Sequence, residues 1–159
     1  MIMEDDHLQW RLHFLVREKL YQTMGDVLKT TEMMHNSSVK KFYQGIALLF
    51  SNHQSPDALD YFNPLHQDAS SVLKLGALLA SIYVCKHVKI SSSETLAQLE
   101  TQLKNERKKA EDKPLYYAAI FLHLIDHQSK AREYIDRMLQ ISPNSSDGQV
   151  IKGWIEISL

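Results

Sequence analysis

Proline and glycine are scarce in this chain, four and five residues among 159, and long segments that alternate apolar with polar residues are missing. A β-sheet therefore has little support. Cys85 is the single cysteine, which excludes an internal disulfide and fits a reducing compartment. Neither sign of charge is in excess: 18 lysines and arginines stand against 19 aspartates and glutamates, a net charge of −1. A surface built to neutralise nucleic-acid phosphates would be clearly basic, so nucleic acid is not an expected partner. Apolar runs such as Ile46–Phe50 (IALLF) are far too short to span a bilayer, and no membrane insertion is expected. The amino terminus, MIMEDDHLQW, is acidic where a secretory signal would be basic. No nucleophile–base–orienter set, phosphate-binding glycine loop or paired-carboxylate cleft can be assembled. The expectation is a non-enzymatic protein without a cofactor.

What is present is helical periodicity. Apolar residues make up 44% of the chain and recur at spacings of three and four almost throughout. The pattern predicts helices over 5–18, 20–35, 38–52, 55–67, 71–87, 92–110, 113–126, 129–141 and 146–158. Asn36-Ser37-Ser38, Ser91-Ser92-Ser93 and Asn144-Ser145-Ser146 offer side-chain oxygens to the unpaired N–H groups of the helix that follows. Pro114 suits a first turn, and Pro143 lies just beyond a helix end. Pro64, inside the predicted fourth helix, should shorten or kink it.

The spacing of Ala131 and Pro143 matches part of a tetratricopeptide (TPR) repeat, a helical hairpin of 34 residues. With Ala131 at repeat position 20, Pro143 falls at 32, and Leu115, Ala118, Ala119 and Leu122 take positions 4, 7, 8 and 11. Small residues at positions 8 and 20 let two antiparallel helices approach, and larger ones fill the flanks. Position 8 is successively Leu12, Ile46, Ala80, Ala119 and Gly153, in steps of 34, 34, 39 and 34. The longer step places a five-residue insertion around His87–Ser93. The expected fold is an all-α, right-handed TPR α-solenoid of about four and a half helical hairpins. Its repeats fall at 5–36, 38–70, 71–111, 112–145 and, in part, 146–159, as the start of a longer array.

The stretch KNERKKAEDKPLYYAAIFLHLIDHQSKAREYIDRMLQIS, followed by GQVIKGWIEIS, resembles the amino-terminal region of the tetratricopeptide repeat protein 21 family. The likeness is strong over 104–157, in step but weaker through KKFYQGIALLF, DALDYF and ALLASIYVCK, and only positional before residue 38. The resemblance implies a subunit of intraflagellar transport complex A, acting in retrograde ciliary transport and ciliary receptor trafficking. Its partners would be other subunits of that complex, and its location the cytoplasm and cilium, at the ciliary base and axoneme. One departure is Asp126 at position 15, where that family usually shows glycine; aspartate tolerates left-handed backbone better than most residues.

Repeat arrays of this kind bind through the concave face, to which positions 5, 9 and 12 point. Those positions are Tyr43, Ala47 and Phe50, then Tyr116, Ile120 and His123, then Val150, Trp154 and Ile157, with Gln9, His13 and Val16 in the first repeat. The candidate groove is therefore Tyr43, Phe50, Tyr116, Ile120, His123 and Trp154, suited to an amphipathic helix from a partner. The competing reading is a groove filled by the chain itself through tight superhelical curvature. Gln9 and His13 stand where a carboxylate clamp would need lysine and asparagine. His123 and His127, four apart, lack further ligands for a metal site. The basic run Lys104–Lys113 is diluted by Glu106, Glu111 and Asp112, and reads as a solvated face. Other readings are a TPR adaptor unrelated to cilia, or an RNA reader of the pentatricopeptide kind, which the neutral charge and the 34-residue steps disfavour.

Overall fold

The computed structural model describes residues 2–30, 37–51, 56–88 and 92–159. Among these residues every regular element is helical: α1 (Ile2–Arg17), α2 (Tyr21–Thr30), α3 (Ser37–Ser51), α4 (Leu59–Gln67) entered through a 3₁₀ turn (Pro56–Ala58), α5 (Lys74–Val88), α6 (Ser93–Lys109), α7 (Asp112–Leu124), α8 (Gln128–Ile141) and α9 (Ser146–Ser158). The expected extension of the second helix to residue 35 lies outside the described residues. No described helix is long and apolar enough to cross a membrane.

Most helices pack on their sequence neighbours, α7 and α8 most extensively, and α5 also packs on α7 past the intervening α6. This is an α-solenoid of helical hairpins. Along α5, Gly76, Ala77, Ala80 and Ser81 are all buried. A Cβ added at Gly76 would lie 3.1 Å from the Phe42 ring on α3 and 3.6 Å from the Ala118 nitrogen on α7. Small residues thus draw three successive hairpins together. By contrast, α6 packs chiefly on α5, through a small apolar cluster of Leu78, Ile82, Leu99 and Cys85. The cysteine is a filler there.

Two of the three expected serine caps form, and Asn36, which begins the other stretch, lies outside the described residues. Ser92 Oγ accepts the Thr95 N–H at 3.2 Å and Ser145 Oγ accepts the Gly148 N–H at 3.1 Å. At the start of α7, Asp112 accepts the Lys113 N–H at 2.9 Å and the Ser142 hydroxyl at 2.7 Å, tying the two ends of one hairpin. Pro64 is the sixth residue of a nine-residue α4, so one internal hydrogen bond, to Asp60, is missing and the helix is short. On α8 the helical-spacing pair Arg132–Asp136 is long at 4.0 Å, and Arg132 reaches Glu156 on α9 at 3.0 Å. Arg137 turns from Glu133 to the Arg107 carbonyl at 3.0 Å, because the end of α6 lies beside α8. Glu106 holds both Lys74 and Lys109, at 3.0 and 3.1 Å, which uses part of the basic run internally.

Position 8 is interior in four hairpins and position 20 in three. Leu12, Ile46, Ala80 and Ala119, and Met24, Ala58 and Ala131, are all fully buried. Gly153 differs, for a Cβ there meets nothing within 4 Å. Gly153→Ala is therefore expected to raise stability by about 0.5–1 kcal/mol, read by urea denaturation. Gly45→Ala should lower it by about 1–3 kcal/mol, since its Cβ would fall 2.6 Å from the buried Phe62 ring.

Repeat position 15 is left-handed in two hairpins, at Lys19 (φ 58°) and Asp126 (φ 63°). Both turns carry the same bonds: Lys19 N–H to Val16 and Leu20 N–H to Leu15, then Asp126 N–H to His123 and His127 N–H to Leu122. That is the Schellman closure, which prefers glycine. Asp126 is partly compensated because its carboxylate accepts from Gln128 Nε2 at 3.1 Å. Lys19 has no such compensation, so Lys19→Gly should raise stability by about 0.5–1 kcal/mol, more than Asp126→Gly in the same denaturation assay.

Candidate functional site

The inner faces of α1, α3, α7 and α9 converge on one side chain, His13. Its Nε2 lies 2.8 Å from the Tyr43 hydroxyl on α3 and 3.3 Å from the Tyr116 hydroxyl on α7. The imidazole meets the Trp10 and Trp154 rings edge-on at 5.5 and 5.9 Å. One turn on, the Arg17 guanidinium sits 5.6 Å above the Trp154 ring. Desolvation lowers the His13 pKa to about 4, and burial raises that of Tyr43 far above the usual phenol range. The ring is therefore neutral, and the Tyr43 phenol keeps its proton. With the imidazole proton on Nδ1, which has no hydrogen-bond partner, the Nε2 lone pair accepts from the Tyr43 hydroxyl, and the longer 3.3 Å contact with Tyr116 is secondary.

This network closes the expected groove. Tyr43, Tyr116 and Ile120 are buried, at 0, 4 and 2% exposure, and present nothing to a partner. The open-groove expectation is corrected for these three: curvature at α5 is tight enough for α1 to occupy the concave face. Phe50, His123 and Trp154 remain partly exposed. Phe50 stacks on Tyr21 at 5.0 Å and leans on Tyr83 at 6.2 Å. His123 Nδ1 is 2.8 Å from Gln128 Oε1, and Gln128 Nε2 donates to the His123 carbonyl at 3.1 Å. His127 is exposed beyond the turn. Among the described residues no group of three or more His, Cys, Asp or Glu is placed to hold a metal.

Two of the partly exposed residues, His123 and Trp154, border a cavity of about 320 Å³ at the mouth of the closed groove. The α1–α2 turn supplies Arg17 and Lys19, the end of α7 supplies Leu124, and the end of α9 supplies Ile157. Sequence reasoning placed Ile157 on the inner face but missed Arg17, Lys19 and Leu124. Only knowledge that the first and last hairpins meet brings those three together.

A family model described as Tetratricopeptide repeat protein 21 N-terminal ARM repeat matches residues 12–159. The chain belongs to the tetratricopeptide repeat protein 21 family. Tetratricopeptide repeat protein 21B of Xenopus laevis is 34% identical over 155 residues, covering 97% of this chain. Tetratricopeptide repeat protein 21A of Homo sapiens is 36% identical over 161 residues, covering 99%, and human 21B is 32% identical over 159 residues, covering 98%. The chain spans about 12% of the length of each of these relatives. The family match begins at residue 12, so it takes in the end of α1 and all of α2, where the sequence resemblance is only positional. The family description speaks of an ARM repeat where the 34-residue register reads as TPR; both are stacked helical repeats in which each unit covers its neighbour.

Proposed function

We propose that this chain is a protein-interaction scaffold at the amino-terminal end of an intraflagellar transport complex A subunit. It acts in retrograde ciliary transport and in ciliary receptor trafficking, in the cytoplasm and in the cilium at its base and axoneme. The observation that carries this reading is the family match over residues 12–159. Its partners are the other protein subunits of that complex, and neither catalysis nor nucleic-acid binding is part of the role. Support also comes from the architecture, a helical-repeat array with balanced charge and exposed side chains along its edges. The test is affinity capture with this chain from ciliated cells. Recovery of the other complex A subunits supports the proposal. Enrichment of heat-shock chaperones alone contradicts it and favours an adaptor outside cilia.

A further inference from the structure

We infer that the cavity between the α1–α2 turn, the α7–α8 turn and the end of α9 is a docking pocket for a short acidic segment of a partner protein bearing one large apolar side chain. The inference rests on the scaffold reading and adds the site and the chemistry of the ligand.

The cavity has an apolar part and a cationic part. Val16, Leu124, Trp154 and Ile157 supply the first, and Arg17 and Lys19 the second. Ile157, at the rim, is 77% exposed within these 159 residues. A volume of about 320 Å³ is at the small end for ligand pockets and holds one large side chain with its flanking backbone.

The cations decide the sign of the partner. Arg17 and Lys19 are exposed and belong to none of the salt bridges among the described residues. The lining holds these two cations and one carboxylate, Asp126, which accepts from Gln128 at 3.1 Å; an amide donor does not cancel its charge, so the cations are in excess by one. Arg17 is held over the Trp154 ring, and the closure around Lys19 fixes the backbone that carries the second charge. A cation held over an indole ring and a second one carried on a fixed backbone, beside apolar surface, select a carboxylate next to an apolar group.

A free phosphate group fits less well. The backbone N–H groups of both bordering turns, Lys19, Leu20, Asp126 and His127, are all spent on carbonyls within the turns. No cradle of free amides faces the cavity from those turns, and long side-chain cations beside aliphatic surface are left to do the recognition.

The test is selection of random peptides displayed on phage against the full chain, followed by fluorescence anisotropy with the enriched peptides. Expected are sequences with aspartate or glutamate flanking a leucine, isoleucine or phenylalanine. Their binding should weaken roughly tenfold in Arg17→Glu/Lys19→Glu and in Ile157→Asp, and also weaken as salt rises. Both variants alter exposed side chains, and an unchanged circular-dichroism melt verifies that they fold. No enrichment, enrichment without acidic residues, or equal binding by the variants would overturn the pocket. Complex A capture keeps the two proposals apart. Subunits recovered without peptide selectivity remove the pocket alone; selective peptides without subunit recovery remove the ciliary assignment alone.

Discussion

Phe42→Ala is expected to lower the unfolding free energy by about 3–5 kcal/mol. Phe42 has no exposed surface and stands where three hairpins join. Its ring meets Tyr43, Phe62 and Tyr117 edge-on or tilted, at 5.9, 6.2 and 6.1 Å. Those partners lie on α3, α4 and α7, and Gly76 of α5 is flattened against the same ring. Truncation removes these ring–ring contacts, each worth about 0.5–1.5 kcal/mol beyond area burial, and leaves a cavity that small neighbours such as Gly76 and Ala118 cannot fill. Urea denaturation checks it. A loss below about 1 kcal/mol would mean that the second, third and fourth hairpins are not packed on one another through this ring.

Acidification should destabilise the fold steeply through His13, and His13→Gln should remove much of that dependence. The imidazole pKa is lowered from 6.5 to about 4 in the folded chain. Between those values the unfolded chain binds a proton that the folded chain does not, so stability falls as pH falls. Its contribution is fully present above pH 6.5 and lost on the way down to about pH 4. A shift of that size corresponds to on the order of 3 kcal/mol. His66, partly desolvated, shifts in the same direction and remains in both proteins, which leaves a residual slope in the variant. Denaturant titrations from neutral pH down through this window give the comparison. Equal slopes for the two proteins would mean that His13 is not held between Tyr43 and Tyr116, and hence that α1 does not fill the concave face.

Much of the fold is legible in the residues. The 34-residue register put Ala119 opposite Ala131 and assigned Asp126 to a left-handed turn, and both follow from packing and backbone sterics that act within a single hairpin. Serine caps and Pro143 act over a few residues, so helix limits can be read locally. The concave face is another matter. Whether Tyr43 and Tyr116 face water depends on curvature accumulated over four hairpins, and the small residues of α5 help to set it. No local pattern reports such a sum. Arg17 and Lys19 were illegible for the same reason: alone they end one helix, and they border a cavity only because α9 comes round to meet them. Arg137 teaches the same point on a smaller scale, since its helical-spacing partner Glu133 loses to a carbonyl that only tertiary packing supplies.

The solenoid turns so tightly that α1 and α9 meet, through His13 and Arg17 against Trp154. Intramolecular cross-linking tests it directly, with cysteines introduced as Lys19→Cys and Ser158→Cys in a Cys85→Ser background and a short flexible bismaleimide. Both positions border the same cavity, although most of the sequence separates them. The expected result is a nearly complete cross-link within single chains at high dilution, lost in urea. Unlinked monomers or cross-links only between chains, under conditions where the helical signal is intact, would contradict the closed concave face.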